Sequence, residues 1–468
     1  MFNLPHSAMP GAAFPAVPSQ ASAAMLAVLH QFHATEGLST PDLETLQFRQ
    51  LGELLSHASH AVPYYGPILS AAGFVPGRPV TAELWQRLPI LSRAQVQEAG
   101  TQLHARELPA GHGSVATATT SGSSGRPVTI RKSALFQFYW QCFTLRDQEW
   151  QKRNLDATWM AILRDDQRTD PAKQAPLRRM PNWGSPMATV YPTGPGLFLD
   201  YRSSAAELLE IIVRERPAYL VTFPSLLREL VRESQLSGLR PQGLWEVRTT
   251  GEALAPQLRE LTMAAWSAPE IPLRVSEIYS AAEAGIIAAP CREGNALHVQ
   301  AEGVKLEILR EDGGPCATGE EGRVVLTPLH NFAMPLIRYE LGDRALLGPP
   351  CCCGRSLPVL AAIPGRARDM LTLPDGQHRF PYYAHNTMMQ IDAIVQHQVA
   401  QTALDVVEIR LVVRRPLTVA EEAHVIGAAT RGLGGAHKVR LVYRPEILRQ
   451  ASGKFAEFVN EFENPPTP

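Results

Sequence analysis

The sequence predicts an α/β protein with a large N-terminal domain, built of parallel βαβ sheets and a β-rich subregion, and a small mobile α+β C-terminal domain. Three observations carry this reading. A chain of 468 residues is too long for one compact core and calls for two or three domains. Between residues 205 and 290 helical and extended periods alternate strictly, as a parallel sheet covered by helices requires. After about residue 370 a strand, a helix and a strand form a unit of their own. The expected divisions are a loose leader and first helix over 1–40, a large domain over 41–366 and a small domain over 367–468.

The elements follow in chain order. "MFNLPHSAMPGAAFPAVPSQ" has no basic start and no unbroken apolar run, so it reads as a leader and not as a signal peptide. Helical spacing runs through "MLAVLHQF" and "LETLQFRQLGELLSHA", and another helix is expected near "SRAQVQEAG". In the alternating region "AAELLEIIVRER", "PSLLRELVRESQ" and "APQLRELTMAAW" are helices. "AYLVTF", "LWEVRTT" and "RVSEIY" are the strands between them. The polar turns "TFPS", "TTGEA" and "YSAAEAG" follow those strands, where ligands bind in open α/β sheets. Past residue 300, "VKLEILREDGGP" and "GRVVLTPL" read as meander strands. "VVEIRLVV", "TVAEEAHVIGAATRGL" and "KVRLVYRP" make the last strand–helix–strand unit.

Composition narrows the function classes. Lys plus Arg number 44 and Asp plus Glu 45, so no overall field draws the chain to nucleic acid or an anionic membrane. No run approaches the roughly 20 apolar residues of a membrane span. The six cysteines include the adjacent Cys351, Cys352 and Cys353, a poor disulfide framework that suits metal or burial in a cytoplasmic protein.

Five short segments carry chemistry. "TATTSGSSGRPVTIR" crowds small hydroxylated residues around glycines, which lets backbone N–H groups converge on phosphate oxygens. It lacks the Gly-Lys-Ser/Thr of a Walker A loop. "IYSAAEAG" sets an aromatic and a carboxylate four residues apart at a strand end, and "RYELGDRA" puts Asp343 in a Gly-Asp turn. "IPGRARDML" places Arg366 and Asp369 at the junction of the two domains, and "LRQASGKFAEF" presents Lys454 after a Ser-Gly turn.

In this order the five segments resemble the signature motifs of the adenylate-forming superfamily of acyl-CoA synthetases and ligases, and within it the phenylacetate–CoA ligase family. The N-terminal "LLSHASHAVPYYGPILSAAGF … LPILSRAQV" is similar to that family's opening helices. The resemblance covers roughly residues 40 to 460. It implies an ATP-dependent ligase that activates a carboxylic acid as acyl-AMP, releases pyrophosphate and passes the acyl group to a thiol, CoA in the first instance. It implies that Thr120, Ser121, Gly122, Ser123, Ser124 and Gly125 hold the β and γ phosphates. Gly251, Glu252 and Ala253 pack on adenine, with Tyr279 stacked on the base. Asp343 takes the ribose hydroxyls and Arg366 also reaches the nucleotide. Glu283 holds Mg²⁺, Lys454 neutralises transition-state charge, and Asp369 marks the hinge.

The chain also departs from the family. Ala282 stands where a hydroxyl is expected, a loss of about 0.5–1.5 kcal/mol of hydrogen bonding. The loop "LPDGQHRFPYY" after the hinge is atypical, so an amine or a carrier-protein thiol stays open as an alternative acceptor, as does a nucleotide-binding protein without catalysis. "DDQRTDPAKQAPLRRMPNWG", where an acyl pocket would be built, has no counterpart, so the identity of the acid stays open. A homodimer is expected only because dimers are common. "PCREGNALHV" and "PPCCCGRSLP" offer Cys291, His298, Cys351 and Cys353, four ligands in two pairs that suit a closed tetrahedral structural Zn²⁺ site. Cys352 is an alternative ligand, and burial without metal is the competing explanation.

Overall fold

The computed structural model describes residues 3–120, 128–168, 175–366, 370–373, 376, 378–379, 388, 391–433, 435, 437–450 and 453–462. Helices α1 (Gln20–Thr35) and α2 (Thr40–Ala61) start on serines: Ser19 Oγ accepts from Ser22 N, and Ser39 Oγ from Asp42 N. Short helices α3 (Tyr65–Ala71), α4 (Ala82–Arg87) and α5 (Arg93–Ala99) follow. Strands β1 (Val115–Thr120) and β2 (Val128–Ser133) form an antiparallel hairpin whose last pair is Thr120 opposite Val128. Ser133 caps α6 (Ala134–Gln151).

Then come β3 (Trp159–Leu163), β4 (Leu177–Met180), α7 (Met187–Val190), β5 (Gly196–Asp200), α8 (Ala205–Glu215), β6 (Tyr219–Thr222), α9 (Pro224–Ser237), β7 (Glu246–Thr250), α10 (Pro256–Trp266) and β8 (Arg274–Ala281). The antiparallel strands β9 (Gly285–Pro290), β10 (Leu297–Val299), β11 (Val304–Leu309), β12 (Glu321–Pro328), β13 (Tyr339–Leu347) and β14 (Val359–Arg366) complete the large unit. One sheet of 12 strands runs β11-β12-β13-β14-β10-β9-β8-β7-β6-β3-β5-β4. From β5 through β3, β6 and β7 to β8 it is parallel, and beyond β8 it is antiparallel. The expected parallel sheet and the β-rich part are therefore halves of one surface, joined at β8. The segment read as unaligned supplies β4, an antiparallel edge strand on β5.

Helices α8, α9 and α10 share a core with the parallel strands: Leu208, Ile212, Leu226, Leu230 and Leu258 from the helices, and Leu220, Val247 and Val275 from the sheet. The segment from 3 to 40 is held to this body: His6 N donates to Val190 O and the Phe32 ring stacks on Phe143 at 4.7 Å. Arg146 of α6 is fully buried beneath it, donating to Gln300 and Glu302 and lying 4.4 Å from the Phe32 ring centroid. Arg153 and Arg248 share the buried carboxylates of Asp147 and Glu246, which ties α6 to β7.

After β15 (Leu371–Thr372) and β16 (His378–Arg379), the small unit contains β17 (Ile394–Ala403), β18 (Val406–Val413), α11 (Val419–Gly432), β19 (Lys438–Tyr443) and β20 (Phe458–Asn460). Its sheet runs β19-β18-β17-β20 and packs on α11 through Val407, Ile409, Val425 and Ala429. The expected strand–helix–strand unit is β18-α11-β19. No helix among the described residues is long and apolar enough to cross a membrane.

Two outcomes follow. Replacing Arg146 by alanine strands the Glu302 carboxylate, so Arg146→Ala is expected to cost about 3–5 kcal/mol in chemical denaturation. Burial pushes His57 down from 6.5 and His330 down to about 4. Their neutral forms are the folded ones, so this contribution is intact above 6.5 and is lost as the pH falls towards 4. Denaturation midpoints should therefore be lower at pH 5 than at pH 7, and less so in His330→Gln.

Candidate functional site

The carboxyl ends of β7 and β8 meet a turn of the small unit. That turn holds Gly453 at φ +88°, where a Cβ would lie 2.7 Å from Tyr201 and 3.0 Å from Phe223. Only glycine lets the backbone slip between these rings. The next residue, Lys454, is carried onto Gly251, the first residue past β7: a Cβ there would lie 3.0 Å from Lys454 Cε.

The turn is fixed from the large unit. Helix α9 has no side-chain cap of its own. Glu252 supplies one from the β7–α10 loop, accepting from Ser225 N at 2.9 Å and Ser225 Oγ at 3.0 Å. The same carboxylate accepts from Phe455 N at 2.7 Å, so it holds the backbone next to Lys454. Burial pushes its carboxyl above the ordinary range. Arg449 adds contacts to Ser225 Oγ at 2.7 Å and to Glu229 at 2.6 Å, and Arg228 pairs with Glu457. Arg232 donates to the carbonyls of Ile391 and Asp392.

Thr250 pairs with Ile278, which sets Gly251 beside Tyr279. The Tyr279 hydroxyl donates to Asp343 Oδ2 at 2.8 Å, and Asp343 stands opposite Arg366 across β13 and β14. After β8 the chain turns and buries Glu283, whose Oε1 lies 3.8 Å from Arg93 Nη1. Burial raises the nearby Tyr339 hydroxyl to about 12.

The structure thus gathers Lys454, Gly251, Tyr279, Asp343 and Glu283 around two adjacent strand ends. Glu252 faces the Lys454 turn, and Ala253 is exposed. The backbone of Thr120 ends β1; its side chain, Ser121, Gly122, Ser123, Ser124, Gly125, the Arg366 side chain and Asp369 lie outside the described residues. Sequence reading missed Arg93, Lys132, Arg228 and Arg449. For Lys132 a signal existed, since it occupies an inward position of β2 after Val128 and Ile130. The arginines had none, because their partners are remote in sequence.

A second cluster lies on β9, β10 and the β13–β14 loop. Cys291, His298, Cys351 and Cys353 present ligand atoms all within 4.8 Å of one another. Cys351 Sγ is 3.5 Å from Cys291 Sγ, and Cys353 Sγ is 3.2 Å from His298 Nε2. Cys352 is exposed and outside the cluster. Three thiols and an imidazole at these separations fit a tetrahedral site for a borderline-soft ion.

No family model matches the chain. A phenylacetate-coenzyme A ligase of Thermus thermophilus is 28% identical over 216 residues, which are 43% of this chain and 46% of that protein. The match therefore spans about half the length of this curated relative. A 2-hydroxyisobutyryl-CoA ligase, solved in the postadenylation state with 2-HIB-AMP, superposes with TM-score 0.70 at 18% identity over 92% of both chains. The same ligase in the thioesterification state with CoA gives 0.58, again at 18% identity and 92% of both chains. An anthranilate CoA ligase with anthranoyl-AMP gives 0.51 at 16% identity, over 72% of this chain and 65% of that one. The fold is that of the adenylate-forming acyl-CoA ligases, as the resemblance implied.

If Glu252 holds the small unit in place, Glu252→Ala should raise the rate of tryptic cleavage after Arg449 and Lys454 on the order of 10-fold. The large unit itself should lose only the value of one helix cap, about 0.5–2 kcal/mol in chemical denaturation of the same samples.

Proposed function

We propose that this protein is a Mg·ATP-dependent ligase that converts a small carboxylic acid to its acyl-adenylate and then to a CoA thioester. The observation that carries this reading is the seating of Lys454 at Gly251, beside Tyr279 and Asp343, by contacts made between the two units. A lysine brought to the carboxyl ends of parallel strands from a separate unit serves reactions in which negative charge develops on a bound ligand. The curated relative acts on phenylacetate and CoA, and the solved neighbours include acyl-AMP complexes of CoA ligases.

In this reading a carboxylate oxygen attacks the α-phosphorus of ATP and pyrophosphate leaves. The Lys454 ammonium faces the charge that builds on the phosphoryl and carboxylate oxygens. Thr120–Gly125 would hold the departing β and γ phosphates, and Glu283 would hold Mg²⁺, which neutralises them when bound. Tyr279 would stack on adenine while its hydroxyl orients Asp343 towards the ribose. In the second half-reaction the CoA sulfur, having lost its proton, attacks the acyl carbon and AMP leaves. The contacts of Arg449, Arg228 and Arg232 would be exchanged as the small unit turns about Asp369.

Cys291, His298, Cys351 and Cys353 would hold a structural Zn²⁺. Its role would be to pin β9 and β10, and with them the β8–β9 turn that carries Glu283, without touching substrate.

Acid-dependent exchange of labelled pyrophosphate into ATP tests the first half-reaction. Lys454→Ala should lower it about 10²–10³-fold with ATP binding retained, and no exchange with any acid would overturn the reading. Elemental analysis should find about one zinc per chain, and Cys353→Ser should lose the metal and lower the unfolding midpoint.

A further inference from the structure

Lys132 breaks the pattern of its own strand. On β2 the inward positions alternate Val128, Ile130, Lys132, and the first two pack in the core that also holds Tyr279 and Ala284. The third inward position calls for an apolar side chain. Lys132 is nevertheless only 5% exposed. Its Nζ lies 4.9 Å from the Trp140 ring centroid and 6.0 Å from that of Phe136. Among the described residues it makes no hydrogen bond, and no carboxylate lies within ion-pair distance of it. Burial pushes its ammonium below the ordinary range, with only the field of Glu283 opposing. An ammonium buried without a hydrogen-bonded counter-charge is costly.

Position says what is missing. Trp140 and Phe136 close on Gly285, two residues after Glu283: a Cβ at Gly285 would lie 3.3 Å from Trp140 and 3.5 Å from Phe136. The amine therefore stands beside two aromatic rings that close on the β8–β9 turn, within the field of Glu283. Along the hairpin it is distant from Thr120, where the described part of β1 ends opposite Val128. Lys132 lies four residues beyond Val128, about 13 Å at the rise of a β-strand.

We propose that Lys132 is a specificity-determining residue and that the acid this protein activates is a dicarboxylic acid. One carboxylate is adenylated near Lys454 while the distal one pairs with Lys132 Nζ between Phe136 and Trp140. This rests on the adenylation reading above and adds the substrate class to it. The aromatic faces hold the ammonium in place before the acid arrives, and the ion pair formed with the acid relieves its desolvation.

The test pairs each dicarboxylic acid with the monocarboxylic acid of the same skeleton, over a range of chain lengths and an aromatic pair. Pyrophosphate exchange is run on wild type, Lys132→Met and Lys132→Arg, and acid binding is measured by calorimetry with a non-hydrolysable ATP analogue. Wild type should favour one dicarboxylate at least about 10-fold in kcat/KM over its monocarboxylate partner. Lys132→Met should reverse that preference and Lys132→Arg should partly keep it. Exchange that favours monocarboxylates in wild type, or a preference unmoved in Lys132→Met, overturns the proposal and leaves adenylation standing. Calorimetric binding of a dicarboxylate that weakens in Lys132→Met, without exchange, supports the Lys132 subsite and overturns adenylation. Neither binding nor exchange overturns both.

Discussion

The arrangement depends on one shared carboxylate. Glu252 caps the bare N-terminus of α9 through both carboxylate oxygens, and its Oε1 also accepts from the backbone amide of Phe455. A helix start needs its N–H groups satisfied, and a carboxylate placed there also meets the helix dipole favourably. Because that acceptor is shared with the small unit, order at the start of α9 and the position of Lys454 are coupled. The arginines of α9 and Arg449 surround this centre with exchangeable contacts. In the proposed reaction these contacts would be exchanged between the two half-reactions.

The rest of the large unit is built to keep the strand ends still. Buried arginine–carboxylate groups stand where the layers meet: Arg153 and Arg248 between α6 and β7, and Arg146 between α1, α6 and the loop after β10. These are costly to break and fix orientation more than they add net stability. With the Zn²⁺ proposed for it, the Cys/His cluster would do the same on the antiparallel side, where His298 packs on Trp150 and Arg355 lies over that same ring. Both lie against β8 and β9, which carry Tyr279 and the turn that holds Glu283.

Two lysines enter the proposed chemistry in different ways. Lys454 arrives on a glycine turn from the small unit. Lys132 is fixed on β2 within the large unit, between aromatic rings. A fixed cation serves selection of a ligand, whereas a delivered one serves a charge that exists only during reaction.

Much of this was legible in the chain itself. The alternation of periods 2 and 3.6 between residues 205 and 290 dictated the parallel strands and their helices, because those patterns reflect local burial. Short motifs marked Lys454, Tyr279, Glu283, Asp343 and the Cys/His set, because turn glycines and clustered ligands are local features. Strands β17 and β20, the fusion of both sheet types at β8, and the role of Glu252 were decided only in three dimensions. Each depends on partners far apart in sequence: Phe458 beside Val399, Tyr279 beside Ala288, and Phe455 on Glu252. The burial of Lys132 belongs with them. A sequence can show that a cation interrupts an apolar alternation, but only the packing of Trp140 and Phe136 against it shows that its side chain is buried.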